Sequence, residues 1–142
     1  MSCPYFDPVA PRMPAGDPST AMLPLGDRWG GVCRALPEQP HRPDDAAAAT
    51  LCNLGYARET CAHFPASDGP DAVRFTIAAA SDASLHLYYV LERDHHPFAH
   101  GPLEYALPAG PFAGLPANET LASQARAYVA SYLLRKSYER RR

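Results

Sequence analysis

Sixteen prolines are spread unevenly along this chain, and eleven of them fall within residues 1–70. Each proline fixes φ near about −65° and removes a backbone donor. Pro4, Pro8, Pro11, Pro14 and Pro18 therefore predict a first half that is mostly loop. Such a segment buries little apolar surface of its own, so something else must anchor it. The same stretch carries all four cysteines: Cys3, Cys33, Cys52 and Cys61.

The remaining composition narrows the class. A chain of 142 residues with 46% hydrophobic side chains is long enough to bury a core. A formal net charge of −2 argues against a nucleic-acid binder. No apolar run approaches the roughly 18 residues of a membrane span. Met1–Pro8 has no cationic and apolar leader pattern, which points to the cytoplasm. In a reducing cytosol, four cysteines point to metal binding or catalysis before disulfides.

The second half is periodic. Val73, Phe75 and Ile77 alternate with polar neighbours and predict a strand. Leu85, Leu87, Tyr89 and Leu91 predict a longer one, with residues 79–84 as the hairpin connection. Leu103, Tyr105 and Leu107 suggest a third short strand. Asn118 is a helix-cap type. From there to about Tyr138, Leu121, Ala125, Tyr128, Val129, Tyr132 and Leu133 share one helical face. One short helix is expected in the first half, over Asp44–Leu54, ending at Gly55 and placing Cys52 in its last turn. The expected fold is α+β. A small antiparallel sheet of two or three strands is packed by the C-terminal helix, beside an irregular, proline-rich, cysteine-bearing N-terminal half. We divide a single domain, 1–142, into a loop-rich ligand segment (1–70), a β-hairpin or meander (71–116) and the helix (117–142).

The cysteine gaps hold 29, 18 and 8 residues. Structural zinc sites bring ligands in close C-x2–4-C pairs, and none is present. Four ligands from four separate segments suit a [4Fe–4S] cluster, which offers one iron to each thiolate. Cys3 supports a shared role, because a chain end frays unless something holds it. Tyr5, Phe6, Trp29, Tyr56 and Phe64 stand near the cysteines in sequence and could exclude water from a cluster. The expected cofactor set is thus one [4Fe–4S] cluster on Cys3, Cys33, Cys52 and Cys61, used for electron transfer or redox sensing with a protein partner. The alternative is zinc in a protein-interaction module without redox chemistry.

Other groups carry weaker signals. His95, His96 and His100, with Glu92 and Asp94, are ligand types, read here as a polar loop closing a strand. Cys61 and His63 would form a nucleophile pair only outside a helix, since residues two apart on a helix do not share a face. No G-x-S-x-G, P-loop or G-x-G-x-x-G motif occurs, so no catalytic residue is assigned. Arg135, Lys136, Arg140, Arg141 and Arg142 make a basic C-terminus that complements the helix dipole.

Overall fold

The alternation in the second half builds a four-stranded antiparallel sheet. In the computed structural model, which describes residues 1–13, 15–16, 22–36, 38–66 and 69–140, this half contains strands Ala72–Ala80, Ser84–Arg93, His96–Ala106 and Phe112–Ala113. We number these β3 to β6, and they pair in sequence order. Leu87 stands between Ile77 and Leu103, and Tyr89 stands between Phe75 and Gly101. The odd-numbered apolar residues of β4 thus share one face with Phe75 and Leu103. A C-terminal helix, α2 (Glu119–Arg140), covers that face. Asn118 caps it, its Oδ1 accepting from the Leu121 N–H at 3.0 Å. Leu121, Ala125 and Val129 join the sheet's core, and the Phe75 and Tyr128 rings stack at 5.5 Å.

The expected single sheet of two or three strands is corrected to two sheets, one of four strands and one of two. The second sheet lies in the proline-rich half. Strands β1 (Phe6–Pro11) and β2 (Trp29–Cys33) pair antiparallel, with a bulge between Pro8 and Ala10. Pro8 and Pro11 are accommodated because β1 has a partner on one side only, so a missing N–H need not break a ladder. Gly31 is required opposite this bulge, since a Cβ there would collide with the Asp7 carbonyl oxygen.

β5 also runs longer than expected and takes in His96 and His100. Asp94 and His95 form a two-residue hairpin turn, with φ of 50° and 64°. Left-handed backbone favours glycine, but Asp and His also visit it, and so the turn carries no glycine signal. The predicted helix over residues 44–54 shrinks to α1 (Asp45–Ala47), which leads directly into a π-helical turn, Ala48–Cys52. Asp44 caps its start and Gly55, at φ 73°, follows its end.

Two buried carboxamides fasten the first half to the rest. Gln124, fully buried on the second face of α2, donates from Nε2 to the Cys3 and Phe6 carbonyls at 2.7 Å each. Its Oε1 accepts from the Ser2 hydroxyl at 2.7 Å. Ser2 also exchanges backbone bonds with Val73, which extends the sheet past β3. Asn53, equally buried, donates to the Trp29 and Ala48 carbonyls and accepts from the Trp29 N–H. The basic C-terminus expected to complement the helix dipole is only partly seen. Arg135 donates to the Gly26 carbonyl at 2.7 Å and Lys136 pairs with Glu139, while Arg141 and Arg142 lie outside the described residues.

An ionic network closes the far end of β3 and β4. The Glu92 carboxylate accepts from the Tyr56 hydroxyl at 2.7 Å and from Arg74 at 2.8 Å. Asp71 accepts from Arg58 at 2.6 Å and from the Asp94 N–H at 2.9 Å. The Tyr56 hydroxyl accepts from the His95 N–H, and the two rings stack at 4.1 Å. Hydrogen bonding by Tyr56, opposed by burial and reinforced by Arg74, holds the Glu92 carboxyl below its ordinary range. Burial pushes Asp71 upward, but the Asp94 N–H and Arg58 outweigh it, and its pKa is also lowered.

Two outcomes follow from these contacts. Gln124→Leu removes three hydrogen bonds to buried groups, with the Cys3 carbonyl keeping only the Phe6 N–H and the Ser2 hydroxyl only the Val73 carbonyl, and should cost about 3 kcal/mol in denaturant unfolding. Because folding lowers both carboxyls, their contribution is complete above the ordinary carboxylate range and is lost as pH falls below about 4. Thermal unfolding between pH 7 and 3 should show that loss, and Glu92→Gln should shrink it.

Candidate metal centre

The four cysteines come from four different segments and line one recess. Cys3 precedes β1, and its N–H donates to the Cys52 carbonyl at 2.9 Å. Cys52 closes the π-helical turn that Asn53 ties to β2. Cys33 ends β2, where it stands opposite Phe6 and exchanges backbone bonds with His41. Three thiols are thus fixed by backbone hydrogen bonds between segments, and all three are buried. Cys61 differs. Its N–H donates to the Ala57 carbonyl at 2.7 Å within a local turn, and it is partly exposed.

The rest of the lining is apolar apart from one histidine. Tyr5, Phe6, Leu51 and Phe64 contribute, with Ala35 and Ala57, and no carboxylate or cationic side chain is present among the lining residues. Phe64 packs its ring edge-on to Tyr5 at 5.4 Å and lies beneath the Arg58 guanidinium at 4.7 Å. Trp29 and Tyr56, expected as cover, are placed elsewhere. The Trp29 indole N–H points at the Leu25 carbonyl and the Ser131 hydroxyl, and Tyr56 belongs to the ionic network.

Burial in this apolar recess pushes the Cys3 and Cys52 thiols up to about 12 and raises Cys33 as well. Repulsion among the cysteines adds to the effect at all three. The recess therefore holds neutral thiols, and taking up a metal there means exchanging protons for it.

His63, which the sequence allows to meet Cys61 only outside a helix, lines the recess, and His41, which carries no sequence signal, lies beside it. His63 lines the recess at an exposed rim position, because residues 57–64 form turns and not the helix that would have separated it from Cys61. The His41 ring lies 4.2 Å from it. No local motif marks the pair, since His41 arrives through its backbone bridge to Cys33. His95, His96 and His100 instead occupy the β4–β5 turn and β5, and are exposed. Among the described residues, no group of three or more His, Cys, Asp or Glu forms a site arranged to hold a metal ion. Comparison with protein-family models, with curated proteins and with solved structures finds no match to this chain. No described helix is long and apolar enough to cross a membrane.

Thiol chemistry should report this asymmetry. In metal-free protein at pH 8, iodoacetamide should modify Cys61 at least about tenfold faster than Cys3 or Cys52, as read by peptide mass spectrometry, because the thiolate is the nucleophile. The raised thiols also favour the metal-free fold below about pH 9, an advantage lost as pH rises toward about 12. Alkaline titration of thermal stability should show that decline.

Proposed function

We propose that the chain is a small iron–sulfur protein holding one [4Fe–4S] cluster on Cys3, Cys33, Cys52 and Cys61. One observation carries the reading: four cysteines far apart in sequence line a single apolar recess. The donor set fits, since an all-cysteine set with apolar cover is what such clusters use. A zinc ion would need all four sulfurs about 2.3 Å from a common centre. Among the described residues no three or more His, Cys, Asp or Glu are arranged to hold a metal ion, so the four thiols would have to move to take either a zinc ion or a cluster. A larger inorganic core accepts ligands that arrive from separate directions.

A bound cluster would supply one-electron exchange. This chain's own residues would supply the ligands, exclude water through Tyr5, Phe6 and Phe64, and keep the recess free of competing carboxylates. Four protein ligands leave no iron open for substrate, which favours electron transfer or redox sensing, with a protein as partner and the cytoplasm as location.

The zinc reading keeps one observation in its favour. The recess encloses only about 20 Å³, which suits a single small ion better than a cluster unless the side chains swing apart.

Protein purified without oxygen separates the two. Iron and acid-labile sulfide near four each per chain, with visible absorbance bleached by dithionite, is the expected result. One zinc and no colour would establish the interaction module instead. No metal of either kind would end both readings.

A further inference from the structure

A second cavity lies between the β5–β6 hairpin and α2, and it shares no lining residue with the cysteine recess. It encloses about 470 Å³, within the roughly 300–1,000 Å³ usual for small-molecule sites. Backbone bonds build its wall. The Gly110 N–H donates to the Ala106 carbonyl at 2.6 Å, and the Ala106 N–H donates to the Pro111 carbonyl at 3.1 Å. The strand register sets Phe112 opposite Tyr105, and the two rings meet edge to face at 4.7 Å. Tyr105, Phe112 and Leu115 are left half-buried around the cavity, beside the buried Val129 of α2. The lining is otherwise small or apolar, and it carries one charged side chain, Arg126.

Arg126 is exposed, and among the described residues no hydrogen bond, ion pair or ring contact engages its guanidinium. Its neighbours one turn away on α2, Ala122, Ser123, Val129 and Ala130, carry no charge, and no carboxylate lines the cavity. We propose that this cavity binds a small monocarboxylic acid with an aromatic or aliphatic body. The guanidinium fork takes both carboxylate oxygens, while the ring or chain lies against Tyr105, Phe112 and Leu115. Covering these half-buried side chains removes apolar surface from water. A monoanion matches the single cation. A phosphate monoester, with nearly two negative charges, would leave one uncompensated. The wall is already held by its own backbone bonds, so binding orders little of the chain.

The test titrates 2-naphthoate, and its neutral amide 2-naphthamide, into the full chain as purified, followed by calorimetry and by methyl NMR. The expected result is a Kd of about 1 mM or lower for naphthoate, with shifts centred on the Leu115 and Val129 methyls. Naphthamide should bind at least about tenfold more weakly. Arg126→Ala should weaken naphthoate by about tenfold and leave naphthamide unchanged, whereas Ala130→Leu, which narrows the cavity, should weaken both. Both positions are exposed, so thermal unfolding of the variants should match the wild type. No binding of naphthoate at about 5 mM, or equal affinity for the two probes, would overturn the inference. Shifts centred instead on Leu85 and Leu133, in the cleft beside Lys136, would do the same. An N-acetyl tripeptide ending in phenylalanine that binds about tenfold more tightly than naphthoate would overturn the assignment to a small acid in favour of a peptide C-terminus. The cavity and the cysteine recess have no residue in common, so each of these results holds whatever the metal content proves to be.

Discussion

The carboxamide of Gln124 is the contact on which the N-terminal half depends. Prolines deprive that half of backbone donors, so its carbonyls need partners from elsewhere. Gln124 supplies two donors to Cys3 and Phe6 and takes the Ser2 hydroxyl on its oxygen. It sits on α2, which is itself seated on the four-stranded sheet by Leu121, Ala125 and Val129. One helix therefore packs two ways. Its apolar face completes the sheet's core, and its polar second face orders a segment that has no such core of its own. Asn53 does the same from the other direction, joining the π-helical turn to β2. In each case a long-range side chain does what a ladder of N–H groups would do in a chain with fewer prolines.

These two residues mark the limit of what sequence pattern can show. β3, β4, α2, the Asn118 cap and the Gly55 turn follow from local rules: period two, period 3.6, and the backbone preferences of single residues. The β1–β2 ribbon does not, because proline counts against a strand everywhere except at an edge, and being at an edge is a property of the whole sheet. At Asp94 and His95 the sequence showed a polar loop closing a strand, but that it is a two-residue turn leading straight into a long β5 appears only once the strands are paired. Gln124 reads as one more polar helix residue until Cys3 and Phe6 are known to lie against it. The recess was legible in the grouping of the four cysteines and in part of its aromatic lining. His63 was set beside Cys61 only on the condition that no helix separates them, and residues 57–64 being turns meets that condition.

The sheet reaches the cysteine recess through Arg58. Its guanidinium binds Asp71, accepts contact from the Phe64 ring below, and donates to the Pro65 and Gly69 carbonyls. Asp71 in turn holds the Asp94 N–H at the tip of the β4–β5 hairpin. The segment bearing Cys61 is therefore steered by a side-chain network at its C-terminal flank, while the turn itself stays at the surface. This is a weaker restraint than the backbone bonds at Cys3, Cys33 and Cys52, because a partly exposed ion pair is screened by water.

The same contrast bears on how folding and metal uptake are related. Where ligands are the only link between loops, metal binding and folding are one event. Here Cys3, Cys33 and Cys52 are positioned by bonds that involve no sulfur: the Cys3–Cys52 backbone bond, the β1–β2 ladder, Gln124 and Asn53. The apolar lining keeps their thiols neutral, so no buried negative charge has to be compensated before a cation arrives. The backbone of the site is thereby assembled independently of its charge state. On the proposed reading, metal uptake would be a local exchange of protons for cations, and Cys61 is the one cysteine whose backbone bonds stay within its own turn.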